Sequence, residues 1–251
     1  MRHVWITGAG RGIGAAIAHA FAREGAALSL SGRNLQTLES QAAELRKAFP
    51  GVKLHLSVMD LSDPASVEAA HRANHAAWGP VTVLINNAGQ ALSQPFAKTD
   101  LQLWQHMLNV NLTGTYLCIQ AALPDLLAES AKGHAARIVN IASTAGLKGF
   151  AYVSAYAAAK HGVIGLTRSL ALELARKRLA FKALKPSWQR VRPSSKQSKP
   201  ASRLFTINSF SSSPIRSKLR NSWRTLRKAL VRCLVQRRPP IRLWVVSLTA
   251  A

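Results

Sequence analysis

Three side chains in the second half of the chain have the types and the spacing of a proton-transfer site. Ser143 precedes Tyr156 by 13 residues, and Lys160 follows Tyr156 by four. Residues four apart on a helix share one face, so Tyr156 and Lys160 would point into one site. A free tyrosine has a pKa near ~10, and a neighbouring ammonium group lowers that pKa. The serine hydroxyl could hold a carbonyl or alcohol oxygen, although Tyr-x-x-x-Lys alone is also common as a surface pair.

A glycine-rich segment near the N-terminus has the pattern of a phosphate-binding loop. TGAGRGIG occupies residues 7–14, directly after an apolar run and before a helical pattern. Glycines such as Gly8, Gly12 and Gly14 allow a tight turn and a close approach of the backbone to a pyrophosphate. The helix that follows from Ile13 supplies free N–H groups and a favourable dipole. A purely structural turn is the alternative, but the place of this loop at the first strand–helix junction favours dinucleotide binding.

The residues after the second apolar run indicate which dinucleotide is bound. An acid at this point would bind the adenosine ribose and select NAD. The sequence at 30–34 is LSGRN, with Arg33 and no acid, and Arg11 in the glycine loop is a second cation. A guanidinium group suits a 2′-phosphate, so the sequence favours NADP. The alternative is that both arginines are merely solvated.

The elements that would position these residues alternate between short apolar runs and longer helical patterns. Such alternation predicts right-handed crossovers and a doubly wound parallel sheet with helices on both faces, an α/β fold. The predicted strands are Val4–Thr7, Ala26–Ser31, Val52–Val58, Val81–Ile85 and Arg137–Ile141. The predicted helices are Ile13–Arg23, Leu35–Phe49, Pro64–Trp78, Leu101–Ala128 and Ser154–Lys177.

Six ordered motifs together resemble the short-chain dehydrogenase/reductase family. They are TGAGRGIG at 7–14, Asp60-Leu61, NNAG at 86–89, NVNLTGTY at 109–116, RIVNIAS at 137–143 and YAAAK at 156–160. The resemblance covers residues 1 to about 177 and implies a single Rossmann-fold domain that binds NADP(H) and oxidises alcohols or reduces carbonyls. The stretches that contain Ser143 and Tyr156 are further similar to 3-oxoacyl reductases, including acetoacetyl-CoA and polyketide ketoreductases, which makes 3-oxoacyl thioesters the expected substrates.

The resemblance implies a role for each matching catalytic residue. Tyr156 would be the general acid in reduction and the base in oxidation. Lys160 would lower the pKa of Tyr156 and hold the nicotinamide ribose. Ser143 would position the reacting oxygen, so that Ser143 and Tyr156 also bind substrate. Asn111 would anchor a water through which Lys160 exchanges protons with solvent.

The resemblance also implies which residues hold the cofactor. Asp60 would contact the adenine with Leu61 beside it, and Asn87 would line the cleft. Asn86 and Asn87 could equally form a turn that stabilises the end of a strand. The full expected cofactor-binding set is Gly8, Arg11, Gly12, Ile13, Gly14, Arg33, Asp60, Leu61, Asn87, Gly89, Tyr156 and Lys160.

Other features of the sequence exclude several classes of protein. Cys118 and Cys233 are the only cysteines and provide no disulfide framework. His3, His19 and His106 have no acidic or cysteine partner at ligand spacing, so no metal site is expected. No apolar run approaches the ~18 residues of a membrane span, and no separate signal peptide precedes the first strand. We therefore expect a cytoplasmic protein and, from the family, a homo-oligomer.

The composition changes abruptly near Lys177. The formal charge of the chain is +24, and residues 178–251 contain 18 Lys and Arg but no Asp or Glu. All 15 glycines lie at or before Gly165. Globular domains ordinarily contain both acids and turn glycines, so we separate a domain at 1–177 from an atypical basic segment at 178–251. Beyond the boundary, only residues 179–188 retain a weak trace of a further strand.

Three interpretations of residues 178–251 remain open. A shifted reading frame could have replaced the family's C-terminus and left an inactive reductase. A basic extension could instead bind nucleic acid or an anionic surface, which would make the chain a non-enzymatic binding protein. The Ser-, Pro-, Lys- and Arg-rich part of the segment could also be disordered, because it has little apolar surface to bury.

Overall fold

Short apolar runs form a six-stranded parallel sheet in the order β3-β2-β1-β4-β5-β6. A computed structural model of the chain describes residues 1–175 and the backbone of residues 180–183. The strands are β1 His3–Thr7, β2 Ala27–Gly32, β3 Leu54–Val58, β4 Val83–Asn86, β5 Arg137–Asn140 and β6 Ala180–Ala183. The strand order reverses direction between β1 and β4, which confirms the doubly wound sheet predicted from the sequence.

Six helices connect or follow the strands and cover both faces of the sheet. They are α1 Gly12–Arg23, α2 Leu35–Ala48, α3 Pro64–Trp78, α4 Leu101–Leu108, α5 Gly114–Ala131 and α6 Ser154–Glu173. Side chains of Asn34, Asp63 and Asp100 accept hydrogen bonds at the N-termini of α2, α3 and α4, which satisfies backbone donors that would otherwise lack partners. Among the described residues, no helix is long and apolar enough to span a membrane.

The central strands are buried because helices cover them on both sides. All five residues of β1 are buried, and its three apolar residues alternate between two apolar clusters on opposite faces of the sheet. Ile6 packs with residues of α1 and α2 on one face, whereas Trp5 packs with residues of α3 and α5 on the other. Several polar groups inside the sheet pair with one another: the Trp5 indole N–H donates to Ser31 Oγ at 2.7 Å, and Ser31 Oγ lies 2.6 Å from Ser57 Oγ.

The single helix predicted over Leu101–Ala128 is wrong, because a π-helical turn at Asn109–Thr113 separates α4 from α5. The wider turn surrounds the fully buried side chain of Asn111, whose amide donates to the Met107 carbonyl at 3.0 Å. At the start of α5, a Cβ on Gly114 would lie 2.7 Å from the Cβ of Leu61. Periodicity alone does not reveal this turn, since both segments are apolar on the same side.

The strand β6 extends the sheet beyond the boundary expected at residue 177. Its residues pair in parallel with β5, with Arg137 opposite Ala180 and Asn140 opposite Ala183. The weak trace of a strand near residues 179–188 therefore corresponds to β6. The helix predicted to reach Lys177 ends earlier, at Glu173, with Leu174 as its C-cap. Apart from β6, the interpretations of residues 178–251 concern positions outside the described residues.

The packing of β2 between β1 and β3 predicts a large effect of truncating a core side chain. Leu30 is fully buried, so Leu30→Ala removes its apolar contacts and leaves a cavity. We expect the free energy of unfolding to fall by about 2–5 kcal/mol in chemical denaturation. The control is Leu101→Ala, at a residue that is 72% exposed. This substitution should change the free energy of unfolding by less than about 0.5 kcal/mol. Similar losses in the two variants would contradict this packing.

Candidate active site

The carboxyl ends of β1 and β4 are joined by hydrogen bonds between Thr7 and Asn87. Thr7 Oγ1 accepts the backbone N–H groups of Asn87 and Ala88, both at 3.0 Å. The Asn87 side-chain amide donates to the carbonyl oxygens of Thr7 and Gly8, also at 3.0 Å. These bonds confirm the strand-stabilising interpretation of Asn87 and fix the start of the glycine loop at the point where the strand order reverses, which is where doubly wound sheets bind ligands.

The glycine loop has the shape that a pyrophosphate requires. Gly8 and Gly12 have φ angles of +64° and +60°, a region that favours glycine. A Cβ on Gly8 would lie 2.8 Å from Ala88 Cα, and one on Gly14 would collide with the Gly8 carbonyl oxygen. At Gly12, by contrast, a Cβ would meet no described atom within 4 Å. The loop is thus packed tightly against the sheet and open on its outer side.

The N-terminus of α1 leaves backbone donors on that open side. Its N-cap residue, Arg11, makes no side-chain hydrogen bond to the helix, so the first N–H groups, including that of Ile13, have no cap. Unpaired N–H groups and the positive end of the helix dipole suit an anionic phosphate. The residues present therefore fit the dinucleotide that the sequence predicts.

Two exposed arginines lie near the expected adenosine end of this cleft. Gly10 packs against the start of α2, where a Cβ on it would lie 2.7 Å from Thr37 Oγ1. This approach brings Arg11, the next residue in the loop, close to the β2–α2 turn that contains Arg33. Both side chains are exposed, and no acid occupies the turn.

Asp60 lies beside this turn, at the end of β3. Hydrogen bonds from the Ser62 hydroxyl at 2.6 Å and the Ser62 N–H at 2.8 Å lower the pKa of Asp60, and the charge of Arg33 lowers it further. The carboxylate is therefore ionised at neutral pH. Leu61 is buried and packs against the start of α5, so it connects the end of β3 to that helix.

Ser143, Tyr156 and Lys160 come together at the carboxyl end of β5. Ser143 caps the short 3₁₀ turn Thr144–Gly146, and its Oγ accepts the Ala145 N–H at 3.1 Å. The same hydroxyl lies near enough to Tyr156 on α6 to lower the pKa of its phenol. Lys160, one turn further along α6, places Nζ 5.8 Å from the centre of the Tyr156 ring. The structure thus assembles the three side chains as their spacing predicts.

Close backbone contacts hold α6 against the Ser143 turn. A Cβ on Gly146 would lie 2.6 Å from the Lys160 carbonyl oxygen, so only glycine allows this approach. Below the site, Asn86 Nδ2 donates to Asn140 Oδ1, and Asn140 Nδ2 donates to Thr167 Oγ1, both at 2.8 Å. This chain of hydrogen bonds connects β4, β5 and α6 through the sheet.

Lys160 is buried and positioned between two strand ends. Its side chain is 4% exposed, and Nζ donates to the Ile141 carbonyl oxygen at 3.1 Å. A Cβ on Gly89 would lie 3.4 Å from Lys160 Nζ and 2.7 Å from Asn111 Oδ1. The backbone at Gly89 therefore lies close to the side chains of both Lys160 and Asn111. Burial lowers the pKa of Lys160 to about 8, which makes it able to exchange a proton near neutral pH.

The protein groups alone leave Tyr156 protonated. Burial raises its pKa, and the neighbouring Ser143 hydroxyl opposes that effect only in part. The lowering of this pKa expected from Lys160 and from a cationic nicotinamide therefore stays a prediction for the complex with cofactor.

Asn111 occupies the π-helical turn and contacts the loop after β4. Its Nδ2 donates to the Gln90 carbonyl at 2.8 Å, and its Oδ1 accepts the Gln90 N–H at 3.1 Å. These two bonds hold the backbone beside Gly89 in place. The expected water-anchoring role of Asn111 remains a prediction, while its structural role explains why the π turn is needed.

The loops after β4 and β5 form an apolar wall that the sequence did not assign. The Gln94 N–H donates to the Tyr152 carbonyl at 2.7 Å and so joins the two loops. Tyr152 has a φ of +65°, which is unusual for a residue with a side chain. Exposed apolar side chains line these loops: Leu92, Phe96, Leu147, Phe150 and Tyr152. A cluster of this kind is typical of a binding surface.

Known proteins share this arrangement. The short chain dehydrogenase family model matches residues 2–200. A ketoacyl reductase of the granaticin polyketide synthase of Streptomyces violaceoruber is 38% identical over 185 residues, which are 73% of this chain and 66% of that protein. The 3-oxoacyl-[acyl-carrier-protein] reductase of Aquifex aeolicus is 34% identical over 183 residues, which are 73% of this chain and 72% of that protein.

A solved structure extends the likeness to three dimensions. The crystal structure of a variant actinorhodin polyketide ketoreductase with NADPH has 35% sequence identity and a TM-score of 0.69 and covers 74% of this chain and 70% of that one. The chain belongs to the short chain dehydrogenase family. It is an oxidoreductase of the class that acts on alcohol and carbonyl groups with a nicotinamide cofactor. The match spans about two thirds of the length of the curated relatives.

The burial of Lys160 in this short chain dehydrogenase predicts a pH-dependent stability. The folded pKa of about 8 lies below the ordinary value of 10.5, so between these values the unfolded chain holds a proton that the folded chain has lost. The free energy of unfolding, measured without cofactor, should therefore rise from pH 8 to 10.5 relative to that of Lys160→Met. The increase should be on the order of 3 kcal/mol.

The exposed Lys47 provides the control for this measurement. The difference in the free energy of unfolding between the native protein and Lys47→Met should not change over the same pH range. If the difference between the native protein and Lys160→Met also does not change with pH, the burial of the Lys160 ammonium group is contradicted.

Proposed function

We propose that this chain is an NADP(H)-dependent reductase of 3-oxoacyl thioesters. The observation that carries the proposal is the meeting of Ser143, Tyr156 and Lys160 beside a glycine loop that fits a pyrophosphate. Similarity to ketoacyl reductases supports the substrate class, and the likeness to a ketoreductase with NADPH supports the cofactor.

The residues of the site can perform the proton transfers of carbonyl reduction. The nicotinamide, when bound, supplies the hydride that reaches the carbonyl carbon. The Tyr156 hydroxyl gives its proton to the carbonyl oxygen, and the Ser143 hydroxyl donates a hydrogen bond to that oxygen as its negative charge develops. Lys160, with a pKa of about 8, then returns a proton to the Tyr156 oxygen. Oxidation follows the same path in reverse.

The surroundings of the site suit an acyl thioester. The apolar wall formed by the loops after β4 and β5 would contact the acyl chain. Lys148 is exposed on that wall, with Nζ 5.0 Å from the centre of the Phe150 ring. Carriers of acyl thioesters are anionic, so a cation at the mouth of the site would attract them.

Replacing the proposed proton donor should stop catalysis without loss of cofactor. Tyr156→Phe removes one hydroxyl from a partly buried ring, and we expect NADPH oxidation with acetoacetyl-CoA to fall by at least ~100-fold. The dissociation constant of NADPH, from fluorescence titration, should change by less than about threefold. Tyr116→Phe, at an exposed tyrosine of α5, is the matched control and should retain activity. Substantial activity in Tyr156→Phe would eliminate the assignment.

The choice of NADP over NAD depends on Arg33. Arg33→Ala removes the guanidinium beside the expected 2′-phosphate and should weaken NADPH binding about tenfold or more. NADH, which lacks that phosphate, should bind with little change. Arg23→Ala, at the exposed C-terminus of α1, should affect neither cofactor. Equal losses of NADPH and NADH in Arg33→Ala would show that Arg33 does not recognise the 2′-phosphate.

A further inference from the structure

Two imidazoles and a carboxylate meet at the end of the sheet opposite the active site. His71 and His75 lie four residues apart on α3, and Asp125 lies on the neighbouring helix α5. His71 Nε2 is 3.1 Å and His75 Nδ1 is 3.0 Å from Asp125 Oδ2. The three atoms all lie within 4.8 Å of one another. The cluster adjoins Val81, just before β4, whereas the catalytic groups follow the carboxyl ends of the strands.

One oxygen of Asp125 has more donors than it has lone pairs. The backbone N–H of Val81 also donates to Oδ2, at 2.9 Å. A carboxylate oxygen offers about two lone-pair directions, so once the Val81 N–H takes one, the two imidazoles compete for the other. A single cation at the second position, ligated by both imidazole nitrogens, would remove this competition.

We propose that His71 Nε2, His75 Nδ1 and Asp125 Oδ2 form a binding site for a zinc ion. Two histidines and a carboxylate are a ligand set that Zn²⁺ accepts in proteins, with bonds of about 2.0–2.2 Å and a tetrahedral arrangement. Such bonds hold neighbouring ligand atoms about 3.3 Å apart, and the two nitrogen–oxygen separations are close to this value. The proposal is independent of the catalytic assignment, since no residue is shared.

The surrounding contacts hold the ligands in place. The Val81 N–H orients the Asp125 carboxylate, in the way that hydrogen bonds to ligating carboxylates commonly do. The ring of His71 lies 5.7 Å from the Trp5 ring, centre to centre, in the buried core. His75, with a side chain that is 48% exposed, leaves access for the ion and for a water as the fourth ligand.

The bound ion would join α3 to α5 and both to the start of β4. Because only the folded chain brings the three ligands together, zinc would stabilise it by mass action. No proposed catalytic residue contacts the site.

Zinc binding to the full-length, tag-free protein tests the proposal. Each protein is treated with EDTA, desalted and titrated with ZnCl₂ in a calorimeter. We expect the native protein and His134→Ala to bind zinc with equal affinity. We expect His75→Ala to lose this binding. His134 is the matched control because it is an exposed histidine that also pairs with a carboxylate of α5, Glu129, but lies outside the proposed ligand set. Zinc should raise the melting temperature of the native protein by several degrees. Mg²⁺, which prefers oxygen ligands, should not.

The loss of affinity in His75→Ala should be at least ~10-fold. His75→Gln, which retains a polar side chain of similar size, replaces His75→Ala if that variant does not fold. Equal zinc affinity of the histidine variant and the native protein would overturn the proposal, because the zinc would then bind elsewhere. No binding by the native protein at ~100 μM zinc would overturn it as well.

Discussion

The hydrogen bonds between Thr7 and the end of β4 are the contact on which the rest of the active site depends. They hold two strands side by side where the order of the described strands reverses and opens a cleft. With β1 and β4 joined, Gly8 is pressed against Ala88 and the glycine loop must turn outward. The N-terminus of α1 consequently faces the cleft where we propose that the phosphate binds, and the backbone at Gly89 lies beside Lys160.

The second constraint is the burial of a lysine at the same edge. Removing the Lys160 ammonium from water costs free energy, and the single hydrogen bond to Ile141 does not compensate for it, which is why its pKa falls. A protein that needed only a stable core would place an apolar residue here. A group that can gain and lose a proton near neutral pH is instead what proton transfer through Tyr156 requires. The buried Lys160 therefore lowers the stability of the fold, whereas the proposed reaction requires it.

Local patterns in the sequence predict most of this arrangement, and long-range contacts account for the rest. The spacing of Tyr156 and Lys160 predicts their shared face because both lie on one helix. The apolar runs predict five strands because the central strands are buried on both sides and β3 is partly buried. The π turn at Asn111 was missed because its cause, the Gln90 backbone, is 21 residues away. The cluster of His71, His75 and Asp125 was missed for the same reason. The His-x-x-x-His spacing on α3 was visible, but its carboxylate partner comes from another helix.

The central proposal is that the chain catalyses hydride transfer from C4 of NADPH to the carbonyl carbon of a 3-oxoacyl thioester. The most direct measurement is the isotopic composition of the product after incubation of the full-length protein with acetoacetyl-CoA and NADPH deuterated at both C4 positions. We predict that mass spectrometry will find one deuterium on the carbon that bears the new hydroxyl. A product without that deuterium, or no product, would contradict the account.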